Sequence, residues 1–105
     1  MMLTVVCGEP GSGKTTFCNR NKSPAAMLID LDAIAAALNP NWEHYSNRSD
    51  QLAAILQRVR GVLVRSNWPE VWLICTSEST AMEYARQGNG TCILCRHPKP
   101  PKQLR

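Results

Sequence analysis

A chain of 105 residues has room for one domain with a modest core, and its size leaves none for a second independent domain. Its five cysteines are an odd number set mostly in apolar runs, which points to buried thiols in a reducing cytoplasm and away from a secreted disulfide framework. The net charge of +4 resides in Arg96, Lys99, Lys102 and Arg105, so the body is neutral and lacks the broad basic surface of a nucleic-acid-dependent ATPase.

The opening Met-Met-Leu-Thr-Val-Val-Cys-Gly lacks the basic start and the long apolar run of an export signal, and no segment is long enough to cross a membrane. Leu3 to Cys7 is short, apolar and rich in β-branched residues, which predicts a buried strand. A glycine-rich loop follows, then a helix from Lys14 to about Arg20. Met27 to Asp30 reads as a second strand and Asp32 to Leu38 as a short helix stopped by Asn39-Pro40, with a loop to Ser49. Ser49 can cap a helix beginning at Asp50, in which Leu52, Ile55, Leu56, Val59, Val62 and Leu63 form one apolar face. Val71 to Cys75 reads as a third strand, Ser79 to Gln87 as a helix, and Thr91 to Leu94 as a fourth strand after the Gly88-Asn89-Gly90 turn. Strands alternating with helices predict an α/β fold in three layers, a short parallel sheet covered on both faces. Residues 1–95 form the predicted domain, and the prolines at 98, 100 and 101 predict an irregular, flexible basic tail over 96–105.

Gly8-Glu9-Pro10-Gly11-Ser12-Gly13-Lys14-Thr15 fits G-x-x-x-x-G-K-[ST], and it lies between a predicted strand and a predicted helix, as a phosphate-binding P-loop requires. Glycines let the backbone bend around a phosphate, and the N–H groups from Gly11 to Thr16 can point inward at a helix start that favours anions. Pro10 shapes the loop without donating. The expected ligand is a nucleoside triphosphate, ATP or GTP, with Mg²⁺. Lys14 is expected to reach the β- and γ-phosphates, Thr15 to ligate Mg²⁺, and Thr16 to bond the α-phosphate.

Asp30 and Asp32 stand two residues apart at the end of the second strand, so in extended geometry their side chains share one side. One carboxylate can hold the hydrated metal while the other accepts a proton from a substrate hydroxyl. Asp30 and Asp32 can divide these two duties, with helix capping as the alternative duty of Asp32.

The stretches Gly-Glu-Pro-Gly-Ser-Gly-Lys-Thr-Thr and Leu-Ile-Asp-Leu-Asp-Ala-Ile-Ala resemble small kinase-type P-loop proteins, many of them phage-encoded AAA-family ATPases. Their relatives include the kinase domain of polynucleotide kinase, zeta toxin, and shikimate or gluconate kinases. The resemblance spans roughly Met2 to Leu94 and implies strand order 2-3-1-4. It also implies a metal-linked carboxylate at Asp30 and an acceptor-activating one at Asp32, with a nucleoside, a polynucleotide end or a small metabolite as phosphoryl acceptor.

Two departures stand out. The third strand ends Cys75-Thr76-Ser77-Glu78, so the acidic residue usual directly at that strand end is missing, and Glu78 can replace it only after a displaced turn. Where relatives carry an arginine-bearing lid and a base-holding strand, this sequence has the proline-rich tail, which predicts slow turnover by the chain alone. Arg86 and Arg96 are the remaining candidates for a charge-stabilising arginine. Trp42, His44 and Tyr45 either stack on a base or cover the core. Cys92, Cys95 and His97 have ligand spacing but no partner pair for a four-ligand zinc site. Arg58, Arg60 and Arg65 read as a solvated helix face. Two functions follow from these residues: a kinase-like phosphotransferase, or a nucleotide-binding module or weak ATPase without transferase activity.

Overall fold

A computed structural model of the chain describes residues 2–30, 33–34, 37, 54, 57–59, 61–62 and 68–105. The chain forms two compact units, one made of Met1–Ile29 with Asn67–Arg105 and the other of Asp30–Ser66. In the second unit, residues 33–34, 37, 54, 57–59 and 61–62 are helical, at positions where the sequence predicts helices. Trp42, His44, Tyr45, Arg60, Arg65 and the Ser49 cap lie outside the described residues.

The sheet contains β1 (Met2–Cys7), β2 (Met27–Asp30), β3 (Glu70–Cys75), β4 (Thr91–Leu94) and β5 (Lys102–Gln103), in the order β2-β3-β1-β4-β5. β1 pairs in parallel with β3, Cys7 opposite Cys75, and with β4, Cys7 opposite Leu94. Its central place explains its composition: residues 3–7 are all buried, as expected of a strand covered on both faces. The predicted order of the first four strands holds. The tail departs from expectation, since residues 102–103 form a fifth strand antiparallel to β4. The prolines at 98, 100 and 101 fall in the connection between the two strands, so the missing proline N–H groups remove no ladder bond. Beyond β5, the Leu104 N–H donates to the Cys92 carbonyl (2.7 Å) and the Cys92 N–H to the Arg105 carbonyl (3.0 Å).

Helix α1 (Lys14–Asn21) is built from residues of poor helix propensity, two threonines, a phenylalanine and a cysteine among its first five, so packing holds it. Cys18 is buried with Val6, Trp72, Ile74 and Cys95, and Phe17 packs on this cluster with its ring 6.2 Å from that of Trp72. Alternation along the strands sends Leu3, Val5 and Leu73 to the opposite face, and Leu3 reaches Gly88 at the end of helix α2 (Glu78–Gln87). Helix, sheet and helix make the three layers. Burying each of these aliphatic side chains contributes roughly 1.5–3 kcal/mol. Ser77 caps α2 by accepting the Thr80 N–H (3.3 Å), and Glu78 sits in its first turn, so the helix starts one residue before the sequence predicts.

All five cysteines are buried as thiols. Burial is the main reason that the Cys7 thiol is pushed up to about 12, with Cys92 alongside adding to it, and the same cause raises Cys92 and Cys95. Glu70 ties the turn after α1 to the sheet: it accepts from the Ser23 N–H (2.9 Å), the Ser23 hydroxyl (3.0 Å) and the Trp72 indole (2.8 Å). These donors, led by the Ser23 N–H, hold its carboxylate below the ordinary range. Among the described residues, no helix is long and apolar enough to cross a membrane.

Candidate functional site

The loop from Gly8 to Gly13 connects the buried end of β1 to the start of α1, and three of its glycines have positive φ: 151° at Gly8, 79° at Gly11 and 85° at Gly13. At Gly8 the constraint is also spatial, since a Cβ there would stand 2.6 Å from the Ser12 Oγ and 2.7 Å from the Cys95 carbonyl oxygen. At the other end of the loop, Gly13 is the N-cap of α1 and brings no side chain to the orphan N–H groups of the first turn, where no acidic residue stands either. The contrast with α2, capped by Ser77 and led by Glu78, is direct. A helix start without cap or carboxylate inside a glycine loop is suited to an anion.

Lys14 lies across the loop: its ammonium donates to the Gly8 carbonyl (2.6 Å) and is 3.4 Å from the Glu9 carbonyl. The side chain is thus directed over the backbone that would surround a phosphate. The Ser12 N–H is committed to the Glu9 carbonyl in a tight turn (3.1 Å), so one expected phosphate donor is used within the loop. The Ser12 Oγ is buried and has no hydrogen-bond partner among the described residues. An unmade bond of this kind costs about 1–3 kcal/mol, a deficit that a bound oxyanion would relieve. Thr15 and Thr16 are exposed in the first turn of α1.

One wall of the adjoining pocket, about 590 Å³, is the loop from Gly8 to Ser12; the others are Thr76 and Glu78 after β3, and Leu94 at the end of β4 with Cys95, Arg96 and His97 after it. Cys95 fastens the β4 side to the loop, donating its N–H to the Cys7 carbonyl (2.8 Å). The chain matches the model of the family described as AAA domain over residues 3–91.

The chain belongs to the AAA domain family.

A search of curated proteins finds no match to the chain. Membership and the P-loop together make this AAA domain a small kinase-like P-loop nucleotide-binding protein. Its predicted site residues divide by location. Gly8, Glu9, Pro10, Gly11 and Ser12 line the pocket, and Gly13, Lys14, Thr15 and Thr16 complete the turn into α1. Glu78, the acid nearest the end of β3, reaches the same pocket from the first turn of α2. Asp30 ends β2, and its Oδ1 accepts the Ala33 N–H (3.3 Å), the turn-capping duty that the sequence offers as an alternative for Asp32. Asp32 itself lies outside the described residues.

Thr76 and the segment 94–97 are the part of the pocket that motif reading alone misses. Their signal is topological: once β3 and β4 lie parallel on either side of β1, the residues after them must emerge beside the residue after β1. Of the two candidate arginines, Arg96 lines the pocket, whereas Arg86 is absorbed in an ion pair with Glu83 on α2. That pair lowers Glu83 and raises Arg86 from their ordinary values, mainly through the hydrogen bond between them.

Proposed function

We propose that this AAA domain binds Mg-ATP at its P-loop and transfers the γ-phosphoryl to a hydroxyl of a nucleoside, a polynucleotide end or a small metabolite. The observation that carries the proposal is the glycine loop with its uncapped helix start and Lys14 laid across it. Lys14 leaves the carbonyls of Gly8 and Glu9 for the β- and γ-phosphates, exchanging neutral acceptors for charged ones in a site of reduced dielectric. The N–H groups at the start of α1 hold the remaining phosphate oxygens. Thr15 and Asp30 are the proposed holders of Mg²⁺, which when bound neutralises phosphate charge. Glu78 is positioned on the pocket wall for the same ion's water shell. Asp32 takes the acceptor hydroxyl proton. The buried thiols fit a reducing cytoplasm as the place of action.

Incubation with γ-labelled ATP, Mg²⁺ and a panel of hydroxyl acceptors tests the reaction. Label in an acceptor is the expected result; label only in free phosphate identifies an ATPase, and label retained in ATP identifies a binding module. The lack of an acid directly at the end of β3, where Thr76 and Ser77 stand, favours the binding module as the second reading. Asp32→Asn is expected to bind ATP as wild type does and to lose transfer to the acceptor. Transfer at a near wild-type rate would remove Asp32 from the chemistry.

A further inference from the structure

The β4–β5 connection returns to the sheet and is therefore a hairpin, whose tip carries Arg96, His97 and Lys99. Its position beside the P-loop is fixed from both directions. On the β4 side the Cys95 N–H bonds to the Cys7 carbonyl, and the Cys95 carbonyl occupies the space a Cβ on Gly8 would need. On the β5 side Leu104 and Arg105 bond back to Cys92. Arg96 follows Cys95 directly and lines the pocket bounded by Gly8–Ser12.

The Arg96 guanidinium donates through Nε (3.1 Å) and Nη2 (3.0 Å) to one acceptor, the carbonyl of Pro100. That acceptor is neutral, and among the described residues no carboxylate pairs with Arg96. A planar five-donor cation resting on a single neutral carbonyl, at the wall of a phosphate-binding pocket, gains strongly by turning to an oxyanion. We propose that Arg96 contacts the terminal phosphate of the bound triphosphate, so that the hairpin tip supplies positive charge to the transferring group. The inference rests on the P-loop reading and adds a residue from another part of the chain to that site. Arg96 then exchanges the Pro100 carbonyl for γ-phosphate oxygens, while the hairpin stays in place through its bonds to Cys92.

Calorimetric titration of the full chain and of Arg96→Gln, Arg96→Lys and Lys14→Ala with Mg-ATP and Mg-ADP tests this. Glutamine retains an N–H for the Pro100 carbonyl and removes the charge. The expected result for Arg96→Gln is an ATP affinity about tenfold lower with ADP affinity changed less than about threefold, the size of one charge-assisted hydrogen bond. Arg96→Lys, which keeps charge but not the fork, is expected to fall between. Equal ATP affinity in wild type and Arg96→Gln, with Lys14→Ala impaired, overturns the Arg96 assignment and leaves the P-loop intact. Equal losses for ATP and ADP also overturn it, since they mark a distorted hairpin. Failure of wild type to bind either nucleotide removes the P-loop reading and this inference together.

Discussion

Lys14 and Gly8 hold the loop by different means, and their substitutions separate charge from shape. Lys14→Ala removes an ammonium that bonds only loop carbonyls, so the fold should survive while ATP affinity drops about 10- to 100-fold by calorimetry. Gly8→Ala forces a Cβ between the Ser12 Oγ and the Cys95 carbonyl at a φ of 151°, which displaces the loop from the hairpin as well as straining the backbone. A loss of roughly 1–3 kcal/mol in urea unfolding, together with lost nucleotide binding, is the expected outcome. The cysteines give a third prediction. A thiol whose folded value is raised contributes stability that is fully present below its unfolded value and is lost as pH rises past it. Unfolding free energy should therefore decline above roughly pH 8.5, by up to ~1.4 kcal/mol per pH unit for each such thiol, and a Cys7→Ala variant should decline less steeply.

Among the elements, the β4–β5 hairpin departs most from what its composition suggests. Basic, proline-rich and nearly without apolar side chains, the tail has little surface to bury, and a flexible arm is the natural expectation. Backbone pairing supplies what hydrophobic burial does not: β4 has an edge to satisfy, and residues 102–105 satisfy it. Amide exchange should accordingly be protected at Leu104 and Cys92, and deletion of 102–105 should abolish the protection at Cys92 and lower the melting temperature. Rapid exchange at both amides would return the tail to a flexible arm. Helix α1 teaches a related lesson. Its residues are poor helix formers, yet the P-loop demands a helix at that place, and the contact of Phe17 and Cys18 with the sheet holds it there.

At the scale of the whole molecule, the strand order brings three chain segments distant in sequence to one pocket: the loop after β1, the turn after β3 and the tip after β4. Parallel pairing aligns the carboxyl ends of β1, β3 and β4, so residues 8, 76 and 95 emerge side by side. Residues near 76–78 and 94–97 therefore line one pocket with the P-loop. Replacing Glu78 by Gln is expected to leave the melting temperature within a few degrees, since the side chain is exposed and Ser77 keeps the cap. The same change should weaken the Mg²⁺ dependence of ATP binding, measured by titration at varied Mg²⁺. An unchanged Mg²⁺ dependence would exclude Glu78 from the metal's surroundings.

The sequence by itself determined the P-loop, the four strands and the burial of most of the cysteines, because these rest on local signals, while the order of the strands came with the resemblance to kinase-type P-loop proteins. A glycine-lysine-threonine spacing has few other uses, short β-branched runs between turns make buried strands, and apolar neighbours draw a thiol inward. Only the tertiary structure decided which residues beyond the motif reach the pocket and which arginine stands near it. Of Arg86 and Arg96, one is neutralised by Glu83 three residues away on its helix, and the other is carried beside Gly8 by a hairpin that pairs residues about ten positions apart. The ion pair is local and readable from spacing, whereas the hairpin depends on an unpaired strand edge, which exists only once the sheet has formed.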